Sequence, residues 1–237
     1  MAVARDFEYT GSDLLVTNED ALRNYNSWIV DQFIRSGHPA AQRHEVLDFG
    51  AGIGSLSEIY AAKTSVRPSV LEVDAKQRDI LTQRGYAPYA RLEDVTGTYD
   101  LIYTSNVLEH IEDDVAALRT LRGLLRDDGR LAIFVPAFRM IWTSMDDKVG
   151  HHRRYTKRML RDHLEAAGFT VESMSYRDSV GFMLALGFKV IGSASGEPSE
   201  RSLRLFDRYL LPVSRAMDTV AHPLFGKNVF AMARAAS

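Results

Sequence analysis

Leu47-Asp48-Phe49-Gly50-Ala51-Gly52-Ile53-Gly54 is the stretch on which the rest of the chain turns. Val46–Phe49 is a short apolar run of the kind that forms a buried strand. Three glycines follow it at alternate positions, and a helix is expected from Ser55 to Ala62. Glycines let the backbone turn sharply and let a ligand come close to the main chain. The spacing excludes two familiar phosphate loops. A dinucleotide fingerprint, G-x-G-x-x-G, needs a glycine at position 55 when counted from Gly50 and Gly52, and Ser55 stands there. A P-loop needs Gly-Lys-Ser/Thr, which does not follow. By itself the loop is also compatible with a plain strand-to-helix turn.

Working outward, apolar runs alternate with helical stretches. Before the loop, Leu22, Tyr25, Ile29 and Phe33 recur at helical spacing from about Asn18 to Arg35. After it come a strand at Ser69–Val73, a helix at Ala75–Arg84 and a weak strand near Tyr89–Leu92. A strand at Leu101–Thr104 precedes a long helix ending near Arg126. Asp128-Gly129 then turns the chain into Arg130–Val135, which Pro136 stops. A helix from Thr156 to Ala167 ends at Gly168 and is followed by a strand at Phe169–Tyr176. Lys227–Ala233 reads as the last strand. This alternation predicts βαβ units, with a parallel sheet covered by helices on both faces. Ligands of such sheets sit beyond the carboxyl ends of the strands. An acidic residue there can accept hydrogen bonds from two ribose hydroxyls. Val70-Leu71-Glu72-Val73-Asp74 offers Glu72 for that role, while Asp74 is suited to capping the next helix.

Composition sets the outer limits. The 237 residues carry 29 Lys+Arg and 31 Asp+Glu, a net charge of −2, which exerts no general pull on nucleic acid. With 0 cysteines, disulfides and zinc-thiolate sites are excluded. Met1–Tyr9 lacks the apolar core of a signal peptide, and no apolar run approaches the ~20 residues that span a bilayer. A cytoplasmic protein of one domain, 1–237, is expected, with no stable membrane insertion.

Three ordered motifs together resemble class I methyltransferases that use S-adenosylmethionine (SAM). Leu47–Gly54 resembles their first motif. Tyr99-Asp100-Leu101-Ile102 with Ser105-Asn106-Val107-Leu108-Glu109-His110-Ile111 resembles their fourth-strand motif. Leu124-Leu125-Arg126-Asp127-Asp128-Gly129-Arg130-Leu131 resembles their turn into the fifth strand. Gly150-His151-His152-Arg153-Arg154-Tyr155-Thr156, Ala167-Gly168-Phe169 and Phe225-Gly226-Lys227-Asn228 resemble a bacterial subgroup described as type 11 methyltransferases. The resemblance implies a Rossmann-like α/β fold with a seven-stranded sheet whose last strand is antiparallel. It also implies cofactor contacts. Asp48 and the backbone of Gly50 and Gly52 would hold the methionine part of SAM, Glu72 would hold the ribose, and Ala51 and Val73 would also contact the cofactor. Glu93 or Asp94 would meet the adenine amine, although the usual acidic pattern of that region is missing. Asn106 would contact the methionine end through its backbone, and Tyr25 and Trp28 could close over the cofactor carboxylate. S-adenosylhomocysteine would be the product.

At the acceptor end, a hydroxyl or amine nucleophile benefits from a base within hydrogen-bond reach. His110 and His151 are the candidates, each with a purely structural alternative, and Tyr155 stands beside them. Arg153 and Arg154 in the same loop suit a carboxylate or phosphate, with Arg154 expected to face inward. Asp146, Asp147, His151 and His152 could be read as hard-metal ligands, but the expectation is no metal. The residues 178–225 exceed a simple connection. Phe182, Met183, Leu184, Leu186 and Phe188 make them apolar, consistent with core, a homodimer contact, a helical lid or a membrane-surface helix. The expected reaction is O- or N-methylation of a small, carboxylated metabolite. The alternatives are a lipid-linked or saccharide acceptor, or a non-catalytic SAM-binding partner protein.

Overall fold

The computed structural model describes residues 19–35, 45–191 and 199–236. In chain order its main elements are α1 (Arg23–Arg35), β1 (Val46–Phe49), α2 (Ser55–Thr64), β2 (Ser69–Leu71) and α3 (Ala75–Gln83). There follow β3 (Tyr99–Ser105), α4 (Asp114–Gly123), β4 (Leu125–Pro136), α5 (Ser144–Lys148) and α6 (Lys157–Ala166). The chain ends with β5 (Phe169–Arg177), α7 (Ser179–Ile191), α8 (Glu200–Leu205), α9 (Leu211–Ala221) and β6 (Asn228–Ala235).

The sheet order is β2-β1-β3-β4-β6-β5. β2, β1, β3 and β4 pair in parallel, while β6 runs antiparallel to both β4 and β5. Side chains alternate across this sheet with period two. Leu101 and Tyr103, Ala132 and Phe134 pack on one face against Trp28 and Phe33 of α1 and Tyr60 of α2. Ile102, Leu131, Ile133 and Val135 pack on the other against Leu118 and Leu121 of α4 and Leu160 and Leu164 of α6. Both faces are therefore covered, as the near-continuous apolar strands required.

The sheet has six strands among the described residues, not the seven that the family resemblance implied. The missing one is the weak strand at Tyr89–Leu92. Tyr89 makes one parallel bridge to Leu71, its N–H donating to Val70 O and its carbonyl accepting from Glu72 N. No further rung follows, because Leu92–Asp94 coils at once into a 3-10 turn. The helix expected to run to near Arg126 stops at Gly123, because Leu125 already pairs with Tyr99 ahead of a register shift. Between β5 and β6 the chain builds α7, α8 and α9, with a π turn at Phe206–Leu210 joining the last two; residues 192–198 of that segment lie outside the described residues, as does Asn18. No helix among the described residues is long and apolar enough to cross a membrane.

The order of the strands locates the site. From β1 the chain moves to β2 on one side, then crosses to β3 on the other. A crevice opens beyond the carboxyl ends of strands where the order reverses in this way. The loops after β1 and β3 are therefore the ones to inspect.

Candidate functional site

A cleft of about 430 Å³ opens at that reversal point. Its floor is the glycine loop after β1, and its far wall is Ser105, Asn106 and Val107 after β3. The loop needs its glycines: φ is +78° at Gly50, +59° at Gly52 and +90° at Gly54. A Cβ on Gly50 would also overlap a methyl group of Val107, so the two loops close on each other only through this glycine. The N–H groups of Gly50 and Ala51 both donate to Leu71 O at 2.9 Å, which ties the loop to the end of β2.

Glu72 braces the same loop. One carboxylate oxygen accepts from Gly52 N at 2.8 Å and the other from Asp74 N at 2.9 Å. The side chain is buried yet lines the cleft. Burial raises its pKa above the usual carboxylate range, against the pull of the Asp74 and Gly52 N–H groups. Asp74 caps α3 by accepting from Gln77 N, as expected. Asn106 takes φ +55°, a left-handed conformation that asparagine tolerates, and its N–H donates to Phe134 O.

Of the expected cofactor residues, the cleft gathers Tyr25, Gly50, Ala51, Gly52, Glu72, Val73 and Asn106. Four others lie elsewhere. Asp48 is buried behind the loop, where it accepts a 2.6 Å hydrogen bond from Ser57 Oγ and burial pushes its pKa up to about 7. Trp28 packs edge-on to Phe134 within the core rather than over the cleft. Glu93 and Asp94 sit on the 3-10 turn after Tyr89, with Asp94 paired to Arg91. The adenine contact proposed for them lacks its strand, because the bridge at Tyr89 is not continued.

Sequence reasoning missed Glu19, Asn26, Gln77 and Ser105, which also line the cleft. Glu19 chelates Arg84 through two 2.7 Å bonds and accepts from Ser55 Oγ. Leu22, Tyr25 and Ile29 had been recognised by their helical spacing, and that spacing is what turns Asn26 to the same wall. Tyr25 is fixed at both ends: its N–H donates to Asp207 in the π turn, and its hydroxyl accepts from Asn228 Nδ2 at the start of β6.

At the acceptor end, His110 lines the cleft and the rest of the expected set lies behind it. The His110 and His151 rings meet edge-on, with centroids 4.6 Å apart. Burial, with His151 alongside, lowers the pKa of His110 to about 4, so its imidazole is neutral near pH 7. His151 Nδ1 lies 2.7 Å from Asp146 Oδ1, and its Nε2 lies 3.8 Å from Glu109 Oε1. Glu109 is fully buried, neither of its oxygens has a hydrogen-bond partner among the described residues, and burial pushes its pKa up to about 8.

The loop arginines do not stand open to an acceptor. Arg154 forks onto both oxygens of Asp146 at 2.7 and 3.0 Å. Against the opposing effect of burial, the hydrogen bonds from His151 and Arg154 hold Asp146 well below the usual carboxylate range. Arg153 donates to the carbonyls of Ile111 and Glu112 and pairs with Asp114. Tyr155 is fully buried and its hydroxyl donates to Asp114. The expected inward-facing Arg154 is thus occupied by the buried carboxylate of Asp146, eight residues away in sequence.

Comparison with known proteins follows the geometry. A family model described as "Methyltransferase domain" matches residues 21–174. No curated protein matches the chain in sequence. Among solved structures, a chain from the Haloferax volcanii complex that contains the Trm112 methyltransferase activator superposes with a TM-score of 0.66 at 10% identity, over 99% of this chain and 100% of that one. The Haemonchus contortus phosphoethanolamine N-methyltransferase 2, solved with S-adenosyl-L-methionine, gives 0.62 at 13% identity, over 96% of this chain and 58% of that one. The Burkholderia thailandensis 1,6-didemethyltoxoflavin-N1-methyltransferase, with its substrate and S-adenosylhomocysteine bound, gives 0.57 at 20% identity, over 97% and 84%.

Proposed function

The chain belongs to the methyltransferase-domain family and is a SAM-dependent methyltransferase, and from this premise we propose that it methylates an oxygen or nitrogen atom of a small acceptor held beside His110. Bound SAM supplies a methyl group on a sulfonium, which the acceptor takes by in-line displacement, leaving S-adenosylhomocysteine. The observation that carries the reading is one cleft lined by the carboxylate of Glu72, the glycine loop, Asn106 and His110. Its volume of about 430 Å³ falls within the ~300–1,000 Å³ of small-molecule sites.

The residues divide the work. Gly50–Gly52 and Asn106 present main chain to the methionine part, and Glu72 accepts from the ribose hydroxyls. His110, neutral near pH 7, stands where an acceptor proton has to leave. His151 and Tyr155 act one layer back. Asp146 orients His151, while Tyr155 and Arg153 converge on Asp114 and fix the loop. Because both arginines are engaged internally, an acceptor carboxylate is no longer favoured. The 178–225 segment supports the site of a single domain through Asp207 and Phe206, which hold Tyr25. A second reading, a lipid-linked acceptor, is favoured by the exposed apolar side chains Met183, Phe188, Val213, Val220 and Leu224 on that segment.

The test is turnover with methyl-labelled SAM on a panel of phenols, amines, carboxylic acids and lipid-linked saccharides, with products identified by mass spectrometry. A labelled phenol or amine supports the first reading; label confined to lipid-linked acceptors selects the second. A protein that binds NAD more tightly than SAM would sink both.

A further inference from the structure

We propose that Glu109, His110 and His151 together bind one divalent transition cation of the zinc class at the acceptor end of the cleft. This deepens the reading above, which supplies the location; the coordination itself does not depend on methyl transfer.

The starting point is a cost without a visible return. Glu109 is fully buried in the turn after β3, and neither carboxylate oxygen has a hydrogen-bond partner among the described residues. A buried carboxyl in that condition is expensive unless a cation or donor meets it. The groups that face it are two imidazoles. One ligand atom from each of Glu109, His110 and His151 lies within 4.8 Å of the others, and His151 Nε2 is 3.8 Å from Glu109 Oε1. Zinc bonds of about 2.0–2.2 Å set neighbouring tetrahedral ligands roughly 3.4 Å apart. Small side-chain shifts would close the set around an ion.

The surroundings are arranged as a metal site requires. A ligating histidine commonly gives its other N–H to a carboxylate, which fixes the ring and raises its basicity. Asp146 is placed to take the Nδ1 proton of His151, leaving the Nε2 lone pair towards Glu109. Asp146 is fixed in turn by Arg154 and by Thr143 N. Two imidazoles and one carboxylate suit zinc, cobalt, manganese or ferrous iron better than magnesium or calcium. Three protein ligands leave a position open. Since His110 lines the cleft, an acceptor oxygen can reach that position, where the cation, in place of the His110 lone pair, promotes loss of the hydroxyl proton by lowering its pKa. The sequence showed no metal set because it directed attention to the acidic and histidine residues of one loop. Glu109 and His110 come from the turn after the neighbouring strand β3.

The experiment uses untagged full-length protein stripped with EDTA. Zinc is titrated by calorimetry, cobalt is followed by its visible absorption, and SAM is titrated in parallel. One equivalent of zinc per chain is expected, with cobalt bands of four- or five-coordinate intensity that millimolar magnesium does not displace. Glu109→Gln and His151→Ala should each weaken zinc at least tenfold, and Asp146→Asn about 10–100-fold. Should these variants fail to fold by circular dichroism, the wild type decides alone. Zinc should then protect His110 and His151 from diethyl pyrocarbonate, read by peptide mass spectrometry. Absence of stoichiometric binding, equal affinity in folded wild type and Glu109→Gln, or unprotected histidines would each overturn the site. Failure of the SAM titration instead would count against the methyltransferase reading and leave the metal result standing.

Discussion

Replacing Glu72 by alanine tests the cofactor half of the site most directly. Both carboxylate oxygens already accept from main-chain N–H groups, of Gly52 and of Asp74. Hydrogen bonds to charged groups contribute about 1.5–3 kcal/mol each, so the variant should lose roughly 2–4 kcal/mol of folding stability once the loop relaxes. Loss of the ribose hydroxyl bonds should cost SAM a further ~1.5–3 kcal/mol, or about 10–100-fold in affinity. A weaker loop could mimic that loss, so the assay is a cycle by calorimetry. S-adenosylhomocysteine and its 2′-deoxy analogue are each titrated into wild type and Glu72→Ala. If Glu72 accepts from the ribose, removing the hydroxyl should cost the wild type more than tenfold and the variant almost nothing. The pH dependence gives a second check. Burial raises the pKa of Glu72 in the free protein, and hydroxyl donors favour the ionised form. Affinity should therefore rise with pH through that raised pKa in the wild type and stay flat in the variant. Equal penalties for the deoxy analogue in both proteins would refute the ribose assignment.

Three further outcomes follow from the geometry. Gly50→Ala should destabilise the fold by at least about 1–3 kcal/mol, since φ is +78° and the new methyl meets Val107; an unchanged melting temperature together with unchanged SAM affinity would contradict the loop account. Asp48→Asn should become more stable than wild type as pH rises. The folded pKa of about 7 lies above the ordinary 3.8, so the cost of burying the charge is absent below about pH 4 and complete above about pH 7, reaching at most about 4 kcal/mol. Urea denaturation at pH 5 and pH 8 should show the advantage growing by about 2 kcal/mol, and a gap independent of pH would refute it. Arg154→Ala strands the buried Asp146 carboxylate and should cost about 3–5 kcal/mol of stability along with turnover, whereas Arg154→Lys should recover part because lysine cannot make the forked contact. A denaturation midpoint within error of wild type for Arg154→Ala would show that the pair does not hold the loop.

The parts of this protein that were legible in the sequence are those whose cause is local. β1, β3 and β4 announce themselves as apolar runs, Gly168 and Thr156 mark the ends of α6, and Asp74 caps α3. The seventh strand is missing for an equally local reason, the 3-10 turn at Leu92–Asp94 that follows the single bridge at Tyr89. The gathering of the glycines, Glu72 and Asn106 in one cleft was readable because each follows a strand directly. The acceptor half was not, because its pairings are long-range. Tyr155 reaches Asp114 across 41 residues, and Tyr25 reaches Asp207 across 182. A run of His-His-Arg-Arg-Tyr looks like a recognition surface until its counter-charges are placed.

That placement changes what the loop after β4 contributes. Arg153 holds the carbonyls of Ile111 and Glu112, His152 N donates to Glu109 O, and Tyr155 exchanges main-chain hydrogen bonds with Pro136 and Phe138. Each contact joins the loop after β4 to the loop after the neighbouring strand β3, or to its own strand. The charges therefore fix the position of His110 and its neighbours instead of meeting an acceptor charge. A group held by packing and by satisfied hydrogen bonds needs no reorganisation when the acceptor arrives, which is where positional catalysis gains most of its rate. Selectivity must then come from the walls of the cleft. Among the residues that line it are the apolar Val107, Ile111, Leu22 and Ile29, and an apolar lining of that kind favours an acceptor with a flat, uncharged body. Within the panel of acceptors, phenols and aromatic amines should accordingly outrun aliphatic carboxylic acids.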